Sequence, residues 1–340
     1  MSGSIPLIRA GSITPFIGWM RRNGFAVEAL LQESDLACFD LGNPDQPMPL
    51  LFLFRFACMA SRVVGPDLPA RVATGSSLSE IGTIGKIALG ENTIRDALTA
   101  AIAAIPFHVT HEMVSIQPFQ DGVVVREVWG MRLDDETRHI AQQYVAALIQ
   151  LLCDPDGTHR PVFSRMAIVA HPVHGIAHLR PHFGENVAAA RDKALELHIP
   201  GRMLVRVSRP AGQDVSLDRP LDFAHLPIGK DSLIPTARIV VAGLFAHGTP
   251  TIQQLAAAAG QSVRTFQRRL AEAGTTFSQL VEDVRRERAM AGLAGGQSSA
   301  GEIAALLGYK RQSSLTRAVR RWSGTTPRTM RTKSGRHGES

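Results

Sequence analysis

The chain has 340 residues, 44% of them apolar and 20% charged, which supports ordinary packed cores and excludes global disorder. That is roughly twice a typical domain length, so two or more domains are expected. The three cysteines, Cys38, Cys58 and Cys153, form no CxxC pair, which excludes a disulfide-stapled miniprotein and a cysteine-built zinc finger and fits a reducing compartment. Net charge is +7 and uneven: residues 236–340 carry 16 Lys and Arg against 6 Asp and Glu, whereas residues 1–235 carry 21 against 24. A basic C-terminal part on a slightly acidic body points to a polyanion partner, although charge alone fits a solvated basic face equally well. No apolar run reaches the roughly 20 residues of a membrane span. The best candidate, Leu50 to Val64, contains Arg55 and Arg62. Met1 to Met20 lacks a basic segment followed by a clean apolar stretch, so export is not expected and a cytoplasmic location is.

In chain order, Ile13 to Leu31 reads as helical, interrupted by a cap or turn at Arg21-Arg22-Asn23-Gly24. Asn92 to Asp96 opens a second helix with Ile94, Leu98 and Ile102 on one face. Val109 to Gln117 and Val123 to Trp129 read as strands joined around Asp121-Gly122, a pair that tolerates positive φ. Asp134-Asp135-Glu136 places acid where a helix N-terminus favours it, and Ile140, Tyr144, Leu148 and Leu151 continue as a helical stripe. Arg165 to Ala170 and Arg202 to Ser208 are further strand candidates. These elements predict an α/β or α+β N-terminal domain. Pro210, Gly212, Pro220, Pro227, Gly229 and Pro235 mark a connecting segment. The expected organisation is a domain over 1–222, a linker over 223–234, a helical domain over 235–332 and a flexible tail over 333–340.

The helical domain repeats itself. Leu255-Ala256-Ala257-Ala258-Ala259-Gly260 resembles Ile303-Ala304-Ala305-Leu306-Leu307-Gly308, each followed by a helix rich in Arg and Gln that ends in Gly-Thr-Thr. Small residues let the first helix pack closely on the second, Gly260 supplies a positive-φ terminus, and Ser262 can cap the next helix. That helix, Val263 to Ala273, turns Val263, Phe266 and Leu270 inward and Arg264, Gln267, Arg268 and Arg269 outward. Arg can pair bidentately with guanine and Gln with adenine, each pair giving about 1–3 kcal/mol of discrimination. In the second unit Gly308-Tyr309 closes the first helix. Gln312 to Ser323 then presents Gln312, Ser313, Ser314, Thr316 and Arg317, with Leu315, Val319 and Trp322 inward. Arg320 and Arg321 suit phosphate contact better than base reading. Thr276 to Leu293 forms a joining helix about 27 Å long. A rod of that size can hold two recognition helices roughly one DNA turn apart.

Thr251 to Arg331 resembles the double helix-turn-helix DNA-binding domain of AraC/XylS-family bacterial transcriptional regulators. The resemblance is carried by Ile252-x-x-Leu255-Ala256, Ser262 to Leu270, Gly274-Thr275-Thr276-Phe277 and Glu302-Ile303-Ala304-x-x-Leu307-Gly308-Tyr309. Ser314 to Trp322, Gly324 and Pro327-x-x-x-Arg331 complete it. Leu315 and Val319 stand where the family often has Phe, and Met330 where Tyr is frequent; all are apolar exchanges at expected core positions. The resemblance implies an all-α C-terminal double helix-turn-helix domain with Arg264, Gln267, Arg268, Gln312, Ser313, Thr316 and Arg317 facing bases and Arg269, Arg320 and Arg321 on phosphates. More loosely, Ser77-Leu78-Ser79 to Leu98, His171-Pro172 and Phe183-Gly184 resemble the arabinose-binding-like effector domain of a subset of that family. This implies a mixed α/β sensor for a small-molecule effector. The implied partners are double-stranded promoter DNA, that effector, a second copy of the chain as a homodimer, and RNA polymerase.

His171, His174, His178 and His182 are spaced as helix-face ligands for zinc or nickel, but Pro172, Gly175 and Pro181 interrupt the segment and no Cys lies near. A metal sensor or enzyme built on these histidines, with DNA binding secondary, is the alternative reading. A nonspecific architectural DNA binder is a third. No GxSxG, GxxxxGK[ST], GxGxxG or HExxH motif occurs, so neither an enzyme nor a cofactor is expected. A fused alkyl-transfer repair protein would need a reactive Cys, yet apolar-flanked cysteines such as these usually fill cores. Trp19, Trp129 and Phe163 could line a ligand cavity or a core.

Overall fold

The computed structural model describes residues 4–155, 162–205, 225–227, 229, 232–245, 248–295, 298–327 and 329–330. The chain divides into two compact units. The first takes residues 6–37 and 41–228, and the second takes residues from 229 onward together with 4–5 and 38–40. The tail 333–340 and residues 223–224, 228 and 230–231 of the expected linker 223–234 lie outside the described residues.

In the first unit, β1 (Leu7–Arg9) pairs antiparallel with β2 (Pro47–Pro49), with α1 (Thr14–Arg22) and α2 (Glu28–Glu33) between them. The expected break at Arg21 to Gly24 separates these two helices, and Gly24 takes a φ of 79°. The apolar run after β2 is α3 (Leu50–Val64), a buried helix whose Arg55 and Arg62 reach out to Asp35 and Glu136. Short helices α4 (Leu68–Val72), α5 (Ser77–Glu80) and α6 (Thr83–Gly90) lead to α7 (Ile94–His108), where Thr93 accepts from the Asp96 amide. The hairpin β3 (Glu112–Phe119) and β4 (Gly122–Trp129) follows, then α8 (Asp135–Cys153), capped by Asp134. Beyond it lie β5 (Arg165–Ile168), α9 (Arg180–Phe183), β6 (Val187–Ala189), β7 (Leu195–Ile199) and α10 (Gly201–Leu204).

The main sheet has the order β3-β4-β7-β5-β6 and is antiparallel except for the parallel β5–β6 pair. Of the two expected classes the first unit is therefore α+β. The strand expected over Arg202 to Ser208 is not one: Arg202 to Leu204 lie in α10, and residues 206–208 lie outside the described residues. Pro200 has no amide to extend the ladder and suits a helix start, so the strand ends one residue earlier, at Ile199. The hairpin turn also differs from expectation. Positive φ falls on Gln120, at 51°, while Gly122 opens β4, where an added Cβ would lie 2.1 Å from the Ile199 carbonyl oxygen. Close strand approach, not turn geometry, is what requires glycine there.

The second unit is helical in its described part: α11 (Leu233–Leu244), α12 (Ile252–Ala258), α13 (Val263–Glu272), α14 (Phe277–Gly295), α15 (Ala300–Leu306) and α16 (Gln312–Ser323). The α12–α13 and α15–α16 pairs are built alike. Thr251 with Gln254 and Ser299 with Glu302 form capping boxes at the starts of α12 and α15. Each first helix then ends on a left-handed glycine, Gly260 at φ 63° and Gly308 at 72°. At both ends the next amide, Gln261 or Tyr309, donates to a carbonyl five residues back at 2.9 Å. Phe266 and Leu270 of α13 and Leu315 and Val319 of α16 are fully buried. The second pair shares one core with Ala289 and Leu293 of α14, with Trp322 and Met330 packed against it. Arg285 of α14 donates to the Leu307 carbonyl at 3.2 Å and lies over the rings of Phe245 and Tyr309. Among the described residues no helix is long and apolar enough to cross a membrane.

Two stability outcomes follow. Gly122→Ala, which forces a Cβ against Ile199, costs about 1–3 kcal/mol, whereas exposed Gly75→Ala stays within about 0.5 kcal/mol. Phe266→Ala opens the seat of α13 at a cost of about 3–5 kcal/mol, against about 0.5 kcal/mol or less for exposed Arg264→Ala. Thermal and denaturant unfolding of the purified variants measures both pairs.

Candidate functional site

The matched caps and buried stripes leave one polar face on each second helix. On α13, Arg264, Gln267 and Arg268 are exposed and Arg269 is half-buried. Arg268 lies 3.7 Å from Glu272, one turn on, an exposed contact that water and salt weaken. On α16, Gln312, Ser313 and Arg317 are exposed, and Thr316 is half-buried with its hydroxyl donating to the Gln312 carbonyl at 3.2 Å. The Thr316 proton is thus engaged within its own helix, leaving the oxygen as an acceptor.

The expected phosphate contacts divide. Arg320 is exposed, but Arg321 is ion-paired with Glu282 of α14 and lies over the Trp322 ring. Trp322 donates from Nε1 to the same carboxylate at 3.1 Å. Glu282 therefore holds the C-terminal end of α16 onto α14, a tie that spacing could not reveal because the partners are 39 and 40 residues apart. Two further exposed cations, Lys310 and Arg311, stand just before and at the N-cap of α16. They lay outside the expected set, although their place beside Gln312 was a signal.

Three of the four histidines of the metal alternative come together: the ring centroids of His171, His174 and His178 lie 4.7–6.3 Å apart. His171 accepts the Val173 and His174 amides on Nδ1, at 3.1 and 3.2 Å, in a tight turn. His182 instead reaches Asp67 at 3.1 Å. A fifth histidine, His139 of α8, sits 3.0 Å from His178 through their Nε2 atoms. Its Nδ1 is 2.6 Å from the Val169 carbonyl, so that nitrogen carries the proton and His178 donates across the pair. Burial, more than its histidine neighbours, lowers the His139 pKa to about 4, so the ring is neutral near pH 7. Among the described residues no group of three or more His, Cys, Asp or Glu is placed to hold a metal ion. Cys58 and Cys153 are buried, and burial pushes the Cys58 thiol up to about 11, which makes it a poor nucleophile.

The first unit holds a cavity of about 150 Å³. Its walls are mostly aliphatic, among them Ile81, Ile84, Leu98, Ile105 and Leu148; its polar side chains are Ser12, His108, Glu112 and Trp129. Of the three aromatic candidates, only Trp129 lines it. Phe163 is core, and Trp19 stacks on Phe25. Ser12 Oγ and His108 Nε2 are 2.7 Å apart, and His108 Nδ1 is buried without a hydrogen-bond partner. Burial lowers the His108 pKa to about 4. Glu112 stands opposite Trp129 in the β3–β4 register, with Glu127 on the diagonal. Burial first and the mutual charge second raise the Glu112 pKa well above the carboxylate range; burial raises that of Glu127, against Gln142 and Arg138.

Residues 255–333 match the family model of a helix-turn-helix domain. The transcriptional regulator VirS of Mycobacterium tuberculosis is 42% identical over 99 residues, 28% of this chain and 29% of that protein. The ornithine utilization regulator of Pseudomonas aeruginosa is 38% identical over 78 residues, 23% of each chain. The chain thus matches less than a third of these relatives' length. The crystal structure of the transcriptional regulator CdpR from Pseudomonas aeruginosa aligns over 95% of this chain and 98% of its own, at 17% identity and a TM-score of 0.41, a likeness too loose to carry an argument. The C-terminal part of this chain is a helix-turn-helix domain similar to those of bacterial transcriptional regulators.

Proposed function

We propose that this chain is a sequence-specific DNA-binding transcriptional regulator, with effector sensing in residues 1–222 and DNA binding in 235–332. The observation that carries the reading is the pair of amphipathic second helices, α13 and α16, each seated by a buried stripe and each exposing Arg and Gln in a basic part of the chain. As a double helix-turn-helix, the two helices enter successive major grooves. Arg264, Gln267 and Arg268 of α13, and Gln312, Ser313, Thr316 and Arg317 of α16, read base edges. Arg269, Arg320 and Arg321 contact phosphate, joined by Lys310 and Arg311. Such contact asks Arg321 to share or leave Glu282.

Control by a small-molecule effector rests on the resemblance of the N-terminal region to effector domains and on its lined cavity. An effector shifts DNA binding only by its unequal affinity for the DNA-binding states. Pairing of two chains and contact with RNA polymerase follow from the same resemblance, and DNA binding places the protein in the cytoplasm. The metal alternative would rest on His171, His174 and His178, but among the described residues no group is placed to hold a metal ion.

The test is footprinting and quantitative binding on DNA upstream of the chain's own gene. Arg268→Ala or Arg317→Ala costs about 1–3 kcal/mol and relaxes preference at one position. Arg320→Ala weakens all sequences alike and lowers the salt slope by about one. Equal affinity for random and upstream duplexes at matched salt would instead identify a nonspecific architectural protein, and absence of protection on any upstream segment would sink the regulator reading.

A further inference from the structure

The cavity between β3, β4 and the helices around them selects for ligand chemistry. Its volume, about 150 Å³, is close to that of an apolar protein cavity able to take benzene. Apolar walls favour a hydrocarbon or aromatic body. No Lys or Arg lines the space, so a ligand carboxylate or phosphate would meet no countercharge and two nearby carboxyl groups. Glu112 has no hydrogen-bond partner among the described residues, and its neighbours divert none to it. Ser12 is bonded to His108, and the Trp129 indole turns toward Glu127 without closing a hydrogen bond of normal geometry. Glu127 is itself supplied by Gln142 at 3.2 Å. The cavity wall thus carries an unsatisfied acid whose ionisation is opposed by burial and by a second acid on the neighbouring strand. A buried charge is tolerated when paired and hydrogen-bonded, and a cation held against Glu112 meets both requirements at once.

We propose that this cavity binds a small apolar amine of about six to eight carbon atoms, its ammonium group donating to the Glu112 carboxylate and its hydrocarbon body lying against Ile81, Ile84, Leu98, Ile105 and Leu148. His108, buried at 7% exposure with Nδ1 unpartnered on the same wall, adds one acceptor or donor for a second polar group on the ligand. Glu112 gives up its proton as the ammonium arrives, so amine binding tightens as pH rises while the amine itself stays protonated. A neutral alcohol, which would accept from the protonated acid, shows the opposite trend or none. The assignment deepens the effector reading, and only its regulatory meaning depends on that reading; occupancy of the cavity is measurable without DNA.

The experiment uses the full chain and three probes of one shape, phenethylamine, phenethyl alcohol and phenylacetate, followed by thermal shift and calorimetry between about pH 6 and about pH 8. Phenethylamine is expected to raise the unfolding midpoint, to bind about tenfold or more tightly than the alcohol, and to tighten with pH. Phenylacetate is expected to leave the midpoint unchanged. Glu112→Gln keeps the side-chain shape, removes a buried ionisable group and is expected to leave the unliganded midpoint in place while weakening amine binding by about tenfold or more. Binding of the alcohol or acid as tight as the amine, amine binding that survives Glu112→Gln, or no shift with any probe overturns the assignment. None of those results touches the DNA reading, which the footprint decides separately.

Discussion

Everything proposed for the C-terminal unit depends on how a helix ends. Gly260 and Gly308 each take a left-handed conformation that a residue with a Cβ adopts only at a cost. Each thereby lets a carbonyl near the end of its helix accept from Gln261 or Tyr309 and sets the direction in which the next helix leaves. That direction decides which side of α13 and α16 meets the core. With Phe266, Leu270, Leu315 and Val319 inside, the arginines and glutamines have only the outside left to occupy. The polar face is therefore a consequence of the apolar one, and the apolar one of a backbone turn.

Around the second of those turns, further contacts secure the helix pair. In the second pair, α14 supplies Glu282 to Arg321 and Trp322, and Arg285 to the Leu307 carbonyl and the Tyr309 ring. The Glu282–Arg321 pair is partly exposed and contributes little alone. Its effect is positional, since the same carboxylate also holds an indole N–H. The first unit uses buried polar groups in a comparable way. Gln142 of α8 donates to Glu127 and to the Lys193 carbonyl and accepts from the Val169 amide, and His139 bonds the Val169 carbonyl. These bonds tie the helix to β4, to the end of β5 and to the turn before β7, and they make α8 polar on a face that is nevertheless buried.

Much of this was legible in the order of residues. Periodicity placed α7, α8, α13 and α16 because each carries an apolar stripe or a capping residue within one turn of its start. The repeated small-residue run and glycine exposed the relation between the two helix pairs. What escaped was set by partners distant in sequence. Gly122 looked like a turn residue and is required by the Ile199 carbonyl, 77 positions away. Arg202 to Ser208 alternates like a strand, yet Pro200 ends the ladder before it. The histidines at spacings of three and four looked like one ligand set. His171, His174 and His178 do come together, but without one helix through the segment; His139, from a helix some 30 residues earlier, joins them, and Asp67 takes His182.

By itself the sequence determined α7, α8, α13, α16 and the β3–β4 pair, the Ser262 cap, the basic balance of the last hundred residues and the side chains that the second helix of each pair can present, because these follow from interactions within a few residues of one another. The fold alone decided the strand order, the tie from Glu282 to the end of α16, and the cavity in which Glu112 meets, among the described residues, neither a cation nor a hydrogen-bond donor. Those depend on which distant segments exclude water together, and burial changes the cost of a charge far more than any neighbour along the chain can.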